Sequence, residues 1–202
     1  MPHASKLAKD MRRAVATYGH DRVELEWRIG HRQGAFRPGV GRQMWTRLKD
    51  ALDASPAFQK SQKTTLEKLG VAAGIKCIEH ADGSHLWVHK KRLADEDVDS
   101  RPWSVRGSVS LEEVETAPAE GVDLRYQRHK QRWSYRHRCW SIDLTQVRSN
   151  LPADLDDDQD IYEVEIELVD QGMLFERTVD HLVEWGWRMA REVCGLMAGD
   201  AA

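Results

Sequence analysis

Several segments of this chain alternate apolar and charged or polar side chains with a period of two. In YEVEIEL, Glu163, Glu165 and Glu167 share one face and Tyr162, Val164, Ile166 and Leu168 the other, because successive side chains of a strand point to opposite sides. VELEWR places Glu24 and Glu26 in phase. In WSIDLTQV, Ser141, Asp143 and Thr145 oppose Trp140, Ile142 and Leu144, and Gln146 shares the phase of the apolar set. SVRGSVSLEE aligns Arg106, Ser108, Ser110 and Glu112 against Val105, Val109 and Leu111, and RYQRHKQRWSYRHR aligns Arg128, Lys130, Arg132, Ser134 and Arg136. These segments predict a sheet with one apolar and one ionic face.

The apolar face needs a cover, and three segments can supply it: Lys6 to Tyr18, Arg42 to Leu52, and Glu176 to Met197. In the last, Val179, Leu182, Val183, Trp187, Ala190, Val193 and Leu196 recur close to i, i+3, i+4 spacing, the pattern of an amphipathic helix. Trp185 and Trp187 read as packing residues. Cys77 to Arg92 reads as a hairpin turning at Asp82-Gly83, and it delivers Lys90, Lys91 and Arg92, one or two of which should join the ionic face. His31 to Gln43, with three glycines and a proline, reads as a loop after the first strand. It lacks the GK[ST] ending of a phosphate-binding P-loop. The acidic run LPADLDDDQD reads as a solvated loop.

A solvated sheet surface explains one such strand. It explains less well why acids gather on some strands and bases on others. Carboxylates at successive same-face positions stand about 7 Å apart and repel unless a cation or facing bases offset them. A closed barrel with acids on one wall and Arg and Lys on another would hold a metal and a phosphate together, since Mg²⁺ and Mn²⁺ favour carboxylate oxygens combined with water and substrate phosphate. A length of 202 residues with 41% hydrophobic residues suits one domain, 1–202. The net charge of −3 excludes a surface that coats nucleic acid. Three cysteines without CxxC spacing exclude a zinc site or disulfide framework, and no secretory signal or membrane span is expected.

VELEWR resembles the ExExK-type opening strand of the triphosphate tunnel metalloenzymes, with Arg28 where many members have Lys. Followed in order by RHKQRWSY, WSIDLTQV and YEVEIEL, it is similar to the metal-dependent RNA 5′-triphosphatases of mRNA capping (the capping enzyme beta subunit type). The match runs from about Asp21 to Asp170. The resemblance implies an α+β fold, an antiparallel eight-stranded β-barrel forming a triphosphate tunnel over about 21–170, with helices packed outside, the last over about 176–198. It implies hydrolysis of the γ-phosphate of 5′-triphosphate RNA. Glu24, Glu26, Glu165 and Glu167 are expected to hold Mg²⁺ or Mn²⁺, with the division of roles among Glu163, Glu165 and Glu167 open. Arg28, Lys90, Arg92, Arg106, Arg128, Lys130 and Arg132 are expected to bind the triphosphate, and Arg106, Arg128, Lys130, Arg132, Asp143 and Glu163 to serve catalysis, Asp143 by orienting water or holding a base.

Two other readings remain at this stage. A small-molecule triphosphatase of the same superfamily would prefer tripolyphosphate, thiamine triphosphate or a nucleotide to RNA, and a non-catalytic binder would hold an RNA end without releasing phosphate. Neither a nucleotidyl-lysine KxDG motif nor a methyltransferase glycine motif is present, so a separate guanylyltransferase chain is the expected partner. A homodimer is possible in the family. The expected setting is intracellular, in the nucleus or, for a viral protein, a viral factory or virion.

Overall fold

A computed structural model describes residues 5–70, 75–115, 123–150 and 160–199. The acidic run at 151–159 lies outside the described residues. Among the described residues nine strands form one antiparallel sheet: β1 Val23–Gln33, β2 Ala35–Pro38, β3 Gln59–Gly70, β4 Ile75–His80, β5 His85–Ser100, β6 Trp103–Glu115, β7 Leu124–His137, β8 Trp140–Ser149 and β9 Ile161–Leu168. Their order is β2-β1-β6-β5-β4-β3-β7-β8-β9, and β9 pairs back onto β1. Eight strands thus close a barrel, and β2 forms a hairpin on its rim.

The segments expected to be helical are so: α1 Lys6–Tyr18, α2 Arg42–Ala54 and α4 Val179–Ala198, with a single turn, α3 Met173–Glu176, before the last. Glu96 of β5 anchors the start of α1, accepting from Ser5 Oγ at 2.8 Å and from the Leu7 N–H at 3.1 Å. A carboxylate there satisfies an orphan amide and complements the helix dipole. Thr178 caps α4, and Gly199 ends it in the left-handed conformation that favours glycine.

These helices bury the outward face of β1, β6, β8 and β9. Leu25, Trp27 and Ile29 of β1 join Leu7 and Met11 of α1, Leu48 and Leu52 of α2, and Leu182, Ala190, Val193 and Met197 of α4 in the core. Trp27 sits at its centre, edge to face with Trp140 at 5.5 Å and Trp187 at 6.0 Å; Trp185 meets Trp140 at 5.9 Å. Trp185 and Trp187 are therefore packing residues. The apolar core lies outside the barrel wall, which leaves the inside to charge.

One segment differs from its sequence reading. Residues 31–38 are a hairpin, with β1 running on to Gln33, Gly34 turning at φ 78°, and β2 pairing back from Gln33↔Ala35 to Gly30↔Pro38. The glycines and proline that suggest a loop instead shape this hairpin. At Gly30 a Cβ would lie 2.0 Å from the Arg37 carbonyl oxygen, so only glycine permits the close approach.

Gly186 in α4 lies against Trp27, and a Cβ there would meet the ring at 2.2 to 2.5 Å. An exposed helical Gly→Ala change gains about 1 kcal/mol. Because Trp27 is wedged between two other tryptophans, Gly186→Ala should instead cost about 1–3 kcal/mol by overpacking. Gly195→Ala on the same helix, where nothing lies within 4 Å of the new Cβ, should be neutral or stabilising. Urea unfolding of both variants checks this, and equal midpoints would refute the packing argument.

Candidate active site

The seam that closes the barrel brings the two acidic strands together. Glu26 stands opposite Glu167, and Arg28 opposite Glu165. Arg28 Nε lies 2.9 Å from Glu165 and 3.3 Å from Glu26, bridging the seam. Lys90 of β5 reaches across β6 to place Nζ 2.7 Å from Glu24 and 3.2 Å from Glu26. It can do so because β6 offers only Ser108 and Ser110 beside those glutamates, and Ser108 Oγ donates to Glu26 at 3.1 Å.

The basic wall is β7. Arg132 donates to Asp143 at 2.9 Å, to Glu165 at 3.0 Å and to Thr145 at 3.2 Å, and so spans β8 to reach β9. Asp143, which also accepts from Ser141, thus holds a base. Lys130 Nζ lies 3.0 Å from Glu67 of β3, and Arg128 donates to Glu163 at 2.9 Å. These groups enclose a cavity of about 270 Å³ whose lining includes Glu24, Glu26, Arg28, Lys90, Lys130, Arg132, Glu165 and Glu167.

Burial and charge pull these groups in opposite directions. Burial alone would raise the Glu165 carboxyl, but Arg28 and Arg132 outweigh it and hold the group well below the usual carboxylate range. Glu26 is lowered in the same way by Arg28 and Lys90. Glu67 is lowered too, Lys130 and Lys76 overcoming its burial. Arg28 is raised chiefly by Glu165, while Lys90 and Arg132 rise despite burial because glutamates face them. The exceptions are acidic. Burial and the neighbouring Glu26 push Glu24 up, and burial with Asp143 and Glu165 pushes Glu167 up to about 7. Among the described residues no base lies within ion-pair distance of Glu167.

The sequence reading is met unevenly along the barrel. Lys90 turns inward, whereas Lys91 is exposed and Arg92 is half exposed against Asp95 at 3.6 Å, next to the bulge that shifts the β5–β6 register. Arg106 keeps the tunnel phase opposite Arg28, but Asp97 pins it at 2.6 and 2.8 Å beyond the cavity. Five lining residues are absent from the sequence reading: Lys63, Thr65 and Glu67 of β3, and Lys76 and Ile78 of β4. Of the outward neighbours on β3, Gln62, Thr64, Leu66 and Lys68, only Leu66 is apolar, so β3 shows no continuous apolar phase. The available signal was the weaker alternation Lys63, Thr65, Glu67.

The donor set suits a hard cation, being carboxylate rich, with no base among the described residues within ion-pair distance of Glu167. Among the described residues, however, no three acids or histidines converge as a ready cage. Lys90 and Arg28 stand between the glutamates. The carboxylates fit such an ion if these bases yield their places.

The model of the family described as mRNA capping enzyme, beta chain, matches residues 79–183. A 5′ RNA triphosphatase of Paramecium bursaria Chlorella virus 1 is 31% identical over 180 residues, 89% of this chain and 92% of that protein. The fold is similar to that of the S. pombe RNA triphosphatase Pct1, with a TM-score of 0.76 at 18% identity over 96% of this chain and 94% of that one. It is also similar to the mimivirus capping enzyme triphosphatase, with a TM-score of 0.62 at 12% identity over 94% and 96%. With the motifs in order and the ionic tunnel closed around them, the chain belongs to the mRNA capping enzyme beta chain family, the metal-dependent RNA triphosphatases of tunnel fold.

Proposed function

We propose that the chain removes the γ-phosphate from the 5′-triphosphate end of RNA, leaving a diphosphate end and inorganic phosphate. The observation that carries this reading is the register of the closing seam, which sets Glu26 and Arg28 beside Glu167 and Glu165 and opposite the Lys130 and Arg132 wall.

Phosphoryl transfer spreads charge over three equatorial oxygens, so catalysis is chiefly positioning and electrostatic stabilisation. Arg28, Lys90, Lys130 and Arg132 line the cavity and present that charge. Arg128 lies one step further along β7. Glu24, Glu26, Glu165 and Glu167 would hold Mg²⁺ or Mn²⁺, which supplies a Lewis acid for the γ-phosphate and lowers the pKa of bound water. In the structure described here Lys90 occupies Glu24 and Glu26, and Arg28 and Arg132 occupy Glu165. Substrate would therefore bind by an exchange of partners: Lys90, Arg28 and Arg132 would leave their glutamates for phosphate oxygens, which would free Glu24, Glu26 and Glu165 to hold the cation. Asp143, Glu163 and Glu67 position Arg132, Arg128 and Lys130.

Metal-dependent hydrolysis would hand its product to a guanylyltransferase on a separate chain, within the nucleus or a viral factory. No helix among the described residues is long and apolar enough to cross a membrane. Pct1 has been captured in complex with the Spt5 CTD, and a comparable partner is a proposal for this chain.

Phosphate release from γ-labelled 5′-triphosphate RNA and from ATP, each with EDTA, Mg²⁺ or Mn²⁺, tests the reading. Release from RNA that needs the metal is expected; release from ATP alone would move the chain to small-molecule substrates, and none at all would leave a binding protein. Glu26→Gln and Glu165→Gln should each lower turnover about 100- to 1,000-fold, with far-UV circular dichroism unchanged. Retention of more than about a tenth of wild-type turnover would dismiss the assignment of metal ligands, since such a loss is far below that of a transition-state contact. Glu67→Gln should lower turnover less, because it releases Lys130 without removing a ligand, and a loss as deep as that of Glu26→Gln would contradict its positioning role.

A further inference from the structure

The tunnel phase of β1 runs beyond the cavity. Pairing with β9 ends at Ile29, yet Gly30 and Arg32 continue the face that carries Glu26 and Arg28, now paired to β2. Phe36 stands opposite Arg32 and so shares that face. It is only half buried, on a four-residue strand whose other members are exposed, and it takes no part in the apolar core. Its contact is with Arg106, whose guanidinium lies 4.7 Å from the ring centroid.

Arg106 is itself fixed. Asp97 grips it by two parallel hydrogen bonds of 2.6 and 2.8 Å, the bidentate geometry that orients a guanidinium plane. An aromatic ring on a pinned cation is a rigid ring, held half buried at the rim. Beside it, the groove between this hairpin and the β5–β6 turn carries His31, Arg32 and Arg101 with Asp99, and Asp97 also faces Arg32. Arg32 lies four residues beyond Arg28, about 13 Å at the usual rise per residue, a span on the scale of a triphosphate with its ribose. A half-open aromatic with arginines beside a polyanion-binding tunnel is the composition of a single-stranded nucleic-acid platform, in which bases stack on rings and bases of the protein follow the backbone.

We propose that Phe36, stiffened by Arg106 and Asp97, stacks the first nucleobase of an RNA whose triphosphate lies in the tunnel, and that the chain leaves over the β1–β2 hairpin past Arg32 and Arg101. This inference rests on the RNA triphosphatase reading and adds to it the end at which RNA docks. Stacking tolerates any base, so the platform selects RNA ends over inorganic triphosphates without reading sequence.

Steady-state KM and kcat for a 5′-triphosphate RNA oligonucleotide and for inorganic tripolyphosphate, in wild type, Phe36→Leu and Phe36→Trp, test it. Phe36→Leu keeps apolar packing and loses the ring; it should raise KM for RNA about 10- to 100-fold and leave kcat and the tripolyphosphate KM unchanged, while Phe36→Trp retains RNA binding. An RNA KM within about twofold of wild type, or equal losses on both substrates, would overturn the platform and reduce Phe36 to a prop for Arg106. A wild-type protein that hydrolyses tripolyphosphate and not RNA would defeat the RNA reading first, and the platform with it.

Discussion

Arg28 is the residue on which the closed barrel and its chemistry both turn. It lies on the strand that begins the barrel and forms an ion pair with Glu165 on the strand that ends it, while touching Glu26 on its own strand. Burying these charges is costly, and a buried ion pair is often no more stable than apolar residues of the same volume. The interior lattice is thus a poor source of folding energy. What it secures is register, because a slip of one residue between β1 and β9 would turn Glu165 outward and leave Arg28 buried without its partner.

Folding energy must come from the other side of the wall. Trp27, Trp140, Leu25, Ile29, Leu144 and Ile166 pack beneath α1, α2 and α4, and apolar burial of this kind is worth about 1.5–3 kcal/mol for each large side chain. The division lets the barrel interior remain polar and still enclose a cavity. The helices pack on β1, β5, β6, β8 and β9, which leaves the outer face of β3 mostly polar.

An interior that is already neutralised has a functional consequence. A cavity lined only by bases would repel itself when empty, and one lined only by acids would reject a triphosphate. Interleaving the two keeps each group ionised and in place, so that reorganisation on substrate binding is an exchange among fixed partners. Glu167 and Glu24 depart from this balance, both raised by burial and by neighbouring carboxylates.

The alternation itself was legible in the sequence wherever helices cover the strand, because an apolar outer phase then contrasts with the ionic inner one; β1, β6, β8 and β9 were all recognised in this way. Arg128, Lys130 and Arg132 were legible on phase alone. Glu67, Lys63 and Lys76 were not, since β3 is mostly polar on both faces and Ile78 interrupts the ionic phase of β4. Phase also could not say that Arg106 stops short of the cavity, because its reach is set by Asp97 across a strand pair, nor that Arg92 stays outside, because a bulge two strands from Glu24 shifts the register there. Local chemistry determined which side chains share a face. Only closure of the barrel decided which faces meet, because the partners of Arg28, Lys90 and Arg132 come from strands far apart in the chain and are brought together by register.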